Sequence, residues 1–138
     1  TEHECWRRLQ IYLGHWSLMG FGFWAMEARD DGRFIGEVGL MDHRREVAPQ
    51  LHGIAEAGWV VTPSESGHGF AQEGMKAALD WFDDAVKTPR TVCTIDPNNH
   101  ASLRIADKLG YANPSKIPWK DLGQDACALV MERLLPPV

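Results

Sequence analysis

Trp59, Val60 and Val61 lead through Thr62 and Pro63 into a turn of Ser66, Gly67, His68 and Gly69. Phe70 then opens a helical period of Ala71, Met75, Ala78, Leu79, Phe82 and Val86. A strand that ends in a glycine turn and restarts as a helix lays that helix back on the sheet, which confines the chain to an α/β architecture. Glycines let several backbone N–H groups converge, and the helix adds its positive end. Ser66, Gly67, His68, Gly69, Phe70 and Ala71 are therefore expected to form an anion cradle suited to a pyrophosphate. The dinucleotide fingerprint fits poorly, because Gln72 stands where its last glycine belongs. A P-loop is excluded, since no Gly-Lys-Ser/Thr follows. Taken alone, the turn is equally an anion site or a tight strand-to-helix junction.

Around this segment the sequence alternates between the two periodicities. Thr1 and Glu4 have capping-box spacing, and Trp6, Leu9, Leu13 and Trp16 recur on one helical face, predicting a helix over residues 2–18. Apolar runs at 23–28 and 34–40 flank Asp31-Gly32, a hairpin signal. Residues 42–50 read as a polar loop and 54–61 as a strand. Residues 91–95 are a short buried strand, and Asn99 is placed to cap a helix that ends at Gly110. A proline-containing stretch, 113–125, precedes a last strand at 126–134. The expected order is α-β-β-β-α-β-α-β, with an optional strand before the last. That order predicts a single domain over residues 1–138 with a mixed, mostly antiparallel sheet and helices on both faces.

Composition narrows the function classes. The 138 residues carry a formal charge of −5, which argues against a nucleic-acid partner needing a basic patch. Three lone cysteines, Cys5, Cys93 and Cys127, have neither zinc nor disulfide-framework spacing, and no histidine pair has metal spacing. No apolar run approaches a membrane span, and no signal peptide opens the chain, so a cytoplasmic location without membrane or metal is expected. The six tryptophans are expected in the core or as pocket walls.

Several motifs, in order, resemble the GNAT superfamily of acetyl-coenzyme A-dependent N-acetyltransferases, especially the branch that acetylates the N-termini of ribosomal proteins. Phe34 to Leu40 looks like its third strand and Ala55 to Val61 like its fourth. Ser66 to Glu73 is similar to its pyrophosphate loop. Asn99-His100-Ala101-Ser102 with Lys108-Leu109-Gly110-Tyr111 is similar to its last helix. Two departures stand out. Ser64 occupies the position where the family's loop opens with Gln or Arg, so side-chain support for the phosphates is expected to be missing there. The family's first strand and helix would precede Thr1, and a sheet edge left uncovered would favour pairing as a homodimer.

The resemblance implies acetyl-coenzyme A as co-substrate and a primary amine, on a small molecule or a protein N-terminus, as acceptor. It places Glu56 as the base or amine-orienting carboxylate, in an expected apolar setting of Ile54, Trp59 and Trp24 that would raise its pKa. The backbones of Val60 and Val61 would meet the pantetheine arm, with the Val61 N–H as oxyanion donor. Asn99 would also meet the pantetheine or the substrate carbonyl. Where some members have a tyrosine this chain has Ala106, so Ser102 is the preferred proton donor to the thiolate. The His68 backbone is expected to serve the phosphates, its ring less so. Trp119 is weighed equally as a wall of the acceptor pocket or as ordinary packing. A degenerate coenzyme A-binding domain and a nucleotide-binding module are the competing readings.

Overall fold

The computed structural model describes residues 1–135. Helix α1 (Glu2–Met19) opens with the capping box: the Glu4 N–H donates to the Thr1 hydroxyl and the Glu4 carboxylate closes back on Thr1. The hairpin β1 (Phe23–Glu27) and β2 (Phe34–Met41) follows, then β3 (Glu56–Val61), α2 (Phe70–Ala85), β4 (Arg90–Ile95), α3 (His100–Lys108), β5 (Ala112–Pro118) and β6 (Cys127–Leu134). The six strands form one sheet in the order β1-β2-β3-β4-β6-β5. Only β3 and β4 are parallel neighbours, as their α2 crossover requires. The mixed, mostly antiparallel α/β fold matches expectation.

Alternation along the strands divides the core in two. Val38, Leu40, Ala57, Cys93 and Ile95 face α2 and α3, where Met75, Leu79, Phe82 and Ala106 complete the larger cluster. On the opposite face Val92, Ala128 and Val130 pack under Leu51 and Trp119. Tyr111, buried beside α3, exchanges a 2.9 Å hydrogen bond with the Thr91 hydroxyl, itself buried. Tyr111→Phe is expected to destabilise the fold by about 1–3 kcal/mol by stranding that hydroxyl. Adding Thr91→Val should recover most of the loss, read as coupling between the two changes in urea titrations.

Three readings are sharpened by the structure. The face of α1 that packs is not Trp6, Leu9 and Leu13, which are 62, 55 and 71% exposed. Of the expected face Trp16 packs, joined by Tyr12 and His15, because α1 lies across the edge of β1. Tyr12 stacks on Phe23, Trp16 bonds the Phe23 carbonyl, and His15 joins the Phe21 carbonyl to the Asp42 N–H. The optional strand before the last is present, and most of it falls in the first part of the 113–125 stretch, which completes the sheet as β5. Pro114 and Pro118 are tolerated there because β5 is an edge strand, and the ladder shifts register between Ala112 and Ser115. The third strand begins at Glu56 and not at Ile54.

Candidate active site

The glycine turn becomes a cradle because its two glycines take left-handed conformations, φ 81° at Gly67 and 80° at Gly69. Gly69 is the N-cap of α2 and offers no side chain, so the N–H groups of the first turn are left without a side-chain cap. They face a cavity of about 570 Å³ lined by Ser66, Gly67, Gly69, Phe70 and Ala71 on one side and by α3 on the other. The His68 ring does not join them. Its Nδ1 turns back to the Glu65 carbonyl at 3.1 Å, leaving only its backbone in the turn.

Two cations that sequence reading passed over face this cavity: Arg104 and Lys108, one turn apart on α3. Neither forms an ion pair among the described residues. Their i, i+4 spacing was visible but reads equally well as a solvated helix face. They supply the positive charge absent at Ser64. Glu65, the acidic group on the cavity wall, is neutralised from the hairpin by Arg33, whose Nε reaches it at 2.6 Å.

From the cradle a second cavity of about 180 Å³ runs into the sheet, sharing Trp59, Asn99 and Ser102 with the first. It exists because β3 and β4 pair only through Glu56/Val92 and Ala57/Cys93 and then splay apart. Beyond that point no strand among the described residues pairs with the β3 backbone on this side. The register shows which residues are free. Thr62 donates to Ile35 and Val60 stands opposite Glu37, so alternation turns Trp59 and Val61 toward the splay. Val60 is therefore corrected: its backbone belongs to the β2 ladder, and its side chain is exposed on the other face. Asn99 caps α3 by accepting from the Ser102 N–H at 3.1 Å. Ser102 Oγ in turn accepts from Trp59 Nε1 at 3.3 Å across the splay, leaving its own proton to give.

Glu56 lies where the splay begins, 6% exposed. Trp59 and Trp24 are not its setting, since Trp59 faces α3 and Trp24 packs against Trp16 and Trp81 on the far side, whereas Ile54 packs with Val92 and Trp119 on the face that carries Glu56. Arg45 Nη1 donates to Glu56 Oε2 instead. Burial pushes the carboxyl pKa up, and the Arg45 guanidinium and then the Thr94 hydroxyl pull against it. Thr94, which lines the splay, has its Oγ buried without a formed hydrogen bond. Arg45 came from the unpatterned 42–50 loop and carried no sequence signal. It lies over Trp119, with Cζ 5.2 Å from the ring centroid.

This frame is a uncapped helix end at a glycine cradle, an interrupted parallel pair, and a buried carboxylate at the break. The acetyltransferase (GNAT) domain family model matches residues 1–112, and the chain belongs to that family. Over 91 residues it is 31% identical to the uncharacterised protein YkkB of Bacillus subtilis (strain 168), covering 66% of this chain and 51% of that protein. The chain thus spans about half the length of that curated relative. A structure from Bordetella pertussis assigned to the GnaT acetyltransferase family superposes with a TM-score of 0.87 at 32% identity, over 96% of this chain and 77% of that one. The ribosomal-protein-S5-alanine acetyltransferase of Vibrio fischeri shares the fold, with a TM-score of 0.74 at 16% identity over 95% of this chain and 71% of that one. No helix among the described residues is long and apolar enough to cross a membrane.

Proposed function

We propose that the chain is an acetyl-coenzyme A-dependent N-acetyltransferase that passes the acetyl group directly to a primary amine. The observation that carries this reading is continuity: the uncapped, glycine-built cradle opens into the β3–β4 splay, and the splay closes at the Ala57/Cys93 pair, next to Glu56. The cradle suits a pyrophosphate, with α2 supplying N–H groups and Arg104 and Lys108 supplying charge. The free edge of β3 at Trp59 and Val61 suits an amide-bearing arm laid in as an extra strand.

The thioester supplies an activated acetyl carbon, and the residues divide the remaining work. Glu56 takes a proton from the acceptor ammonium, freeing the nitrogen lone pair. The Val61 N–H points toward the charge that gathers on the carbonyl oxygen. Ser102 gives its proton to the departing sulfur as the carbon–nitrogen bond forms and the carbon–sulfur bond breaks. The second amine proton restores Ser102, so one net proton leaves through Glu56. An acyl-enzyme route through Cys93 is disfavoured. That thiol is buried and its pKa is pushed up to about 12, first by burial and then by the Glu56 charge, so it stays protonated.

The test has two stages. Acetyl-coenzyme A is expected to raise the melting temperature saturably, by about 2.7 kcal/mol of stabilisation at a hundredfold excess over Kd, while ATP and NAD do not. An amine panel should then release free thiol. Absence of stabilisation sinks the reading. Stabilisation with no thiol release from any amine would leave a coenzyme A-binding domain without the activity.

A further inference from the structure

The acceptor side of Glu56 has an unusual composition. Arg45 is held from three directions: Nη1 on Glu56 Oε2, its guanidinium plane against Trp119, and its carbonyl 2.9 Å from His52 Nε2. A guanidinium has five N–H donors in a rigid fork. Among the described residues only the Nη1 contact engages one of them. The Arg45 side chain is 30% exposed, so the remaining donors reach solvent. Glu56 is likewise half used: Oε2 accepts from Arg45, and the neighbouring Thr94 hydroxyl, which pulls on the carboxyl pKa, completes no hydrogen bond to it, so Oε1 is open to a donor.

An arginine present only to neutralise a buried carboxylate would gain most by gripping it through two parallel bonds. Here one edge of the fork is spent on Glu56 and the rest is presented beside the free carboxylate oxygen. Phe23 faces them across Gly58, where an added Cβ would lie 2.9 Å from Phe23 Cζ. Tyr12 stacks on Phe23 with ring centroids 5.1 Å apart. Tyr12 and Phe23 thus stack as a single aromatic wall over Gly58, two residues along β3 from Glu56.

We infer that the acceptor is a small aminocarboxylate, its ammonium on Glu56 Oε1 and its carboxylate on the unused fork of Arg45. This rests on the acetyltransferase reading and names its acceptor class. A planar guanidinium edge matches a carboxylate with two parallel bonds, and the neighbouring Glu56 oxygen matches an amine a few bonds away. A polyamine brings no anion for Arg45 and meets its positive charge. A peptide N-terminus has no carboxylate adjacent to its amine.

Thiol release is to be measured with the twenty free amino acids, their carboxamides, and spermidine. The best amino acid should exceed its own amide by about tenfold or more in kcat/KM. Arg45→Met should collapse that acid-to-amide ratio to near one, whatever happens to the absolute rates, and Arg45→Lys should retain part of it. The ratio isolates recognition from any change in Glu56 basicity. Equal use of acid and amide, a preference for spermidine, or an unchanged ratio in Arg45→Met would each overturn the inference. Should Arg45→Met fail to fold by circular dichroism, the wild-type ratio and Arg45→Lys decide. If acetyl-coenzyme A stabilises the protein but no acceptor turns over, calorimetric titration of amino acids into the coenzyme A complex decides, and absence of binding refutes it. Failure of acetyl-coenzyme A to bind at all removes the acetyltransferase reading itself, a different result from binding with the wrong acceptor preference.

Discussion

Glu56→Gln is expected to lower kcat about 100- to 10,000-fold at saturating acetyl-coenzyme A, the range for removal of a positioned general base. Glutamine keeps the shape and most of the hydrogen bonding but accepts no proton. The pH profile adds a second reading. Burial holds the Glu56 pKa above the ordinary carboxylate value of about 4.3, with Arg45 and Thr94 opposing. The base must be ionised, so the wild-type rate falls as pH drops through that raised pKa, and this acidic limb should vanish in the variant. Stability should move the other way. A carboxyl whose folded pKa lies above its unfolded one is destabilising when ionised at neutral pH. That penalty fades as pH falls through the folded value toward the unfolded one. Glu56→Gln should therefore melt no lower than wild type at pH 7, with Arg45 still seated on Trp119 and partly in water. A variant within threefold of wild-type kcat across pH would take Glu56 out of the chemistry.

Removing both cradle cations, Arg104→Ala with Lys108→Ala, should weaken acetyl-coenzyme A binding by about thirtyfold to a hundredfold while leaving kcat within a few-fold. Each is an exposed charge with no protein partner among the described residues, so little structure is lost with it. Each faces the cavity bounded by the α2 N-terminus. Charge-assisted contacts to phosphate are the stronger class of hydrogen bond, discounted here for solvent. Calorimetry at two ionic strengths is the check. Wild-type affinity should fall with added salt, and the variant's should fall less. A change under threefold would assign the anion to the backbone alone.

How much of this was legible in the sequence depended on how many structures a given residue pattern permits. The cradle was legible because Gly67 and Gly69 are the residues that take a positive φ without strain, and the following period was helical. Asn99 was legible because a capping side chain acts on its own backbone neighbourhood. Val60 and Val61 were not separable, since their roles differ by one step of strand register, and register is set by Ile35 and Glu37 on another strand. The α1 face was misread because Trp6, Leu9 and Leu13 keep helical spacing whether they are buried or not. The strand β5 was obscured by prolines that an edge strand tolerates. Arg45 meets Glu56 only through the tertiary path of a loop, which no local pattern encodes.

The splay also has a mechanical side. The β1-β2-β3 half of the sheet is joined to the β4-β6-β5 half along the ladder by two residue pairs alone, Glu56/Val92 and Ala57/Cys93. Such a short seam acts as a pivot, and whatever wedges into the opening applies its leverage there. Glu56 is one of the residues forming the pivot, while Thr94 rides on one half and Arg45 reaches in from the loop leaving the other. The candidate base thus belongs to the seam that borders the cleft, so its position follows from the register of that two-pair ladder.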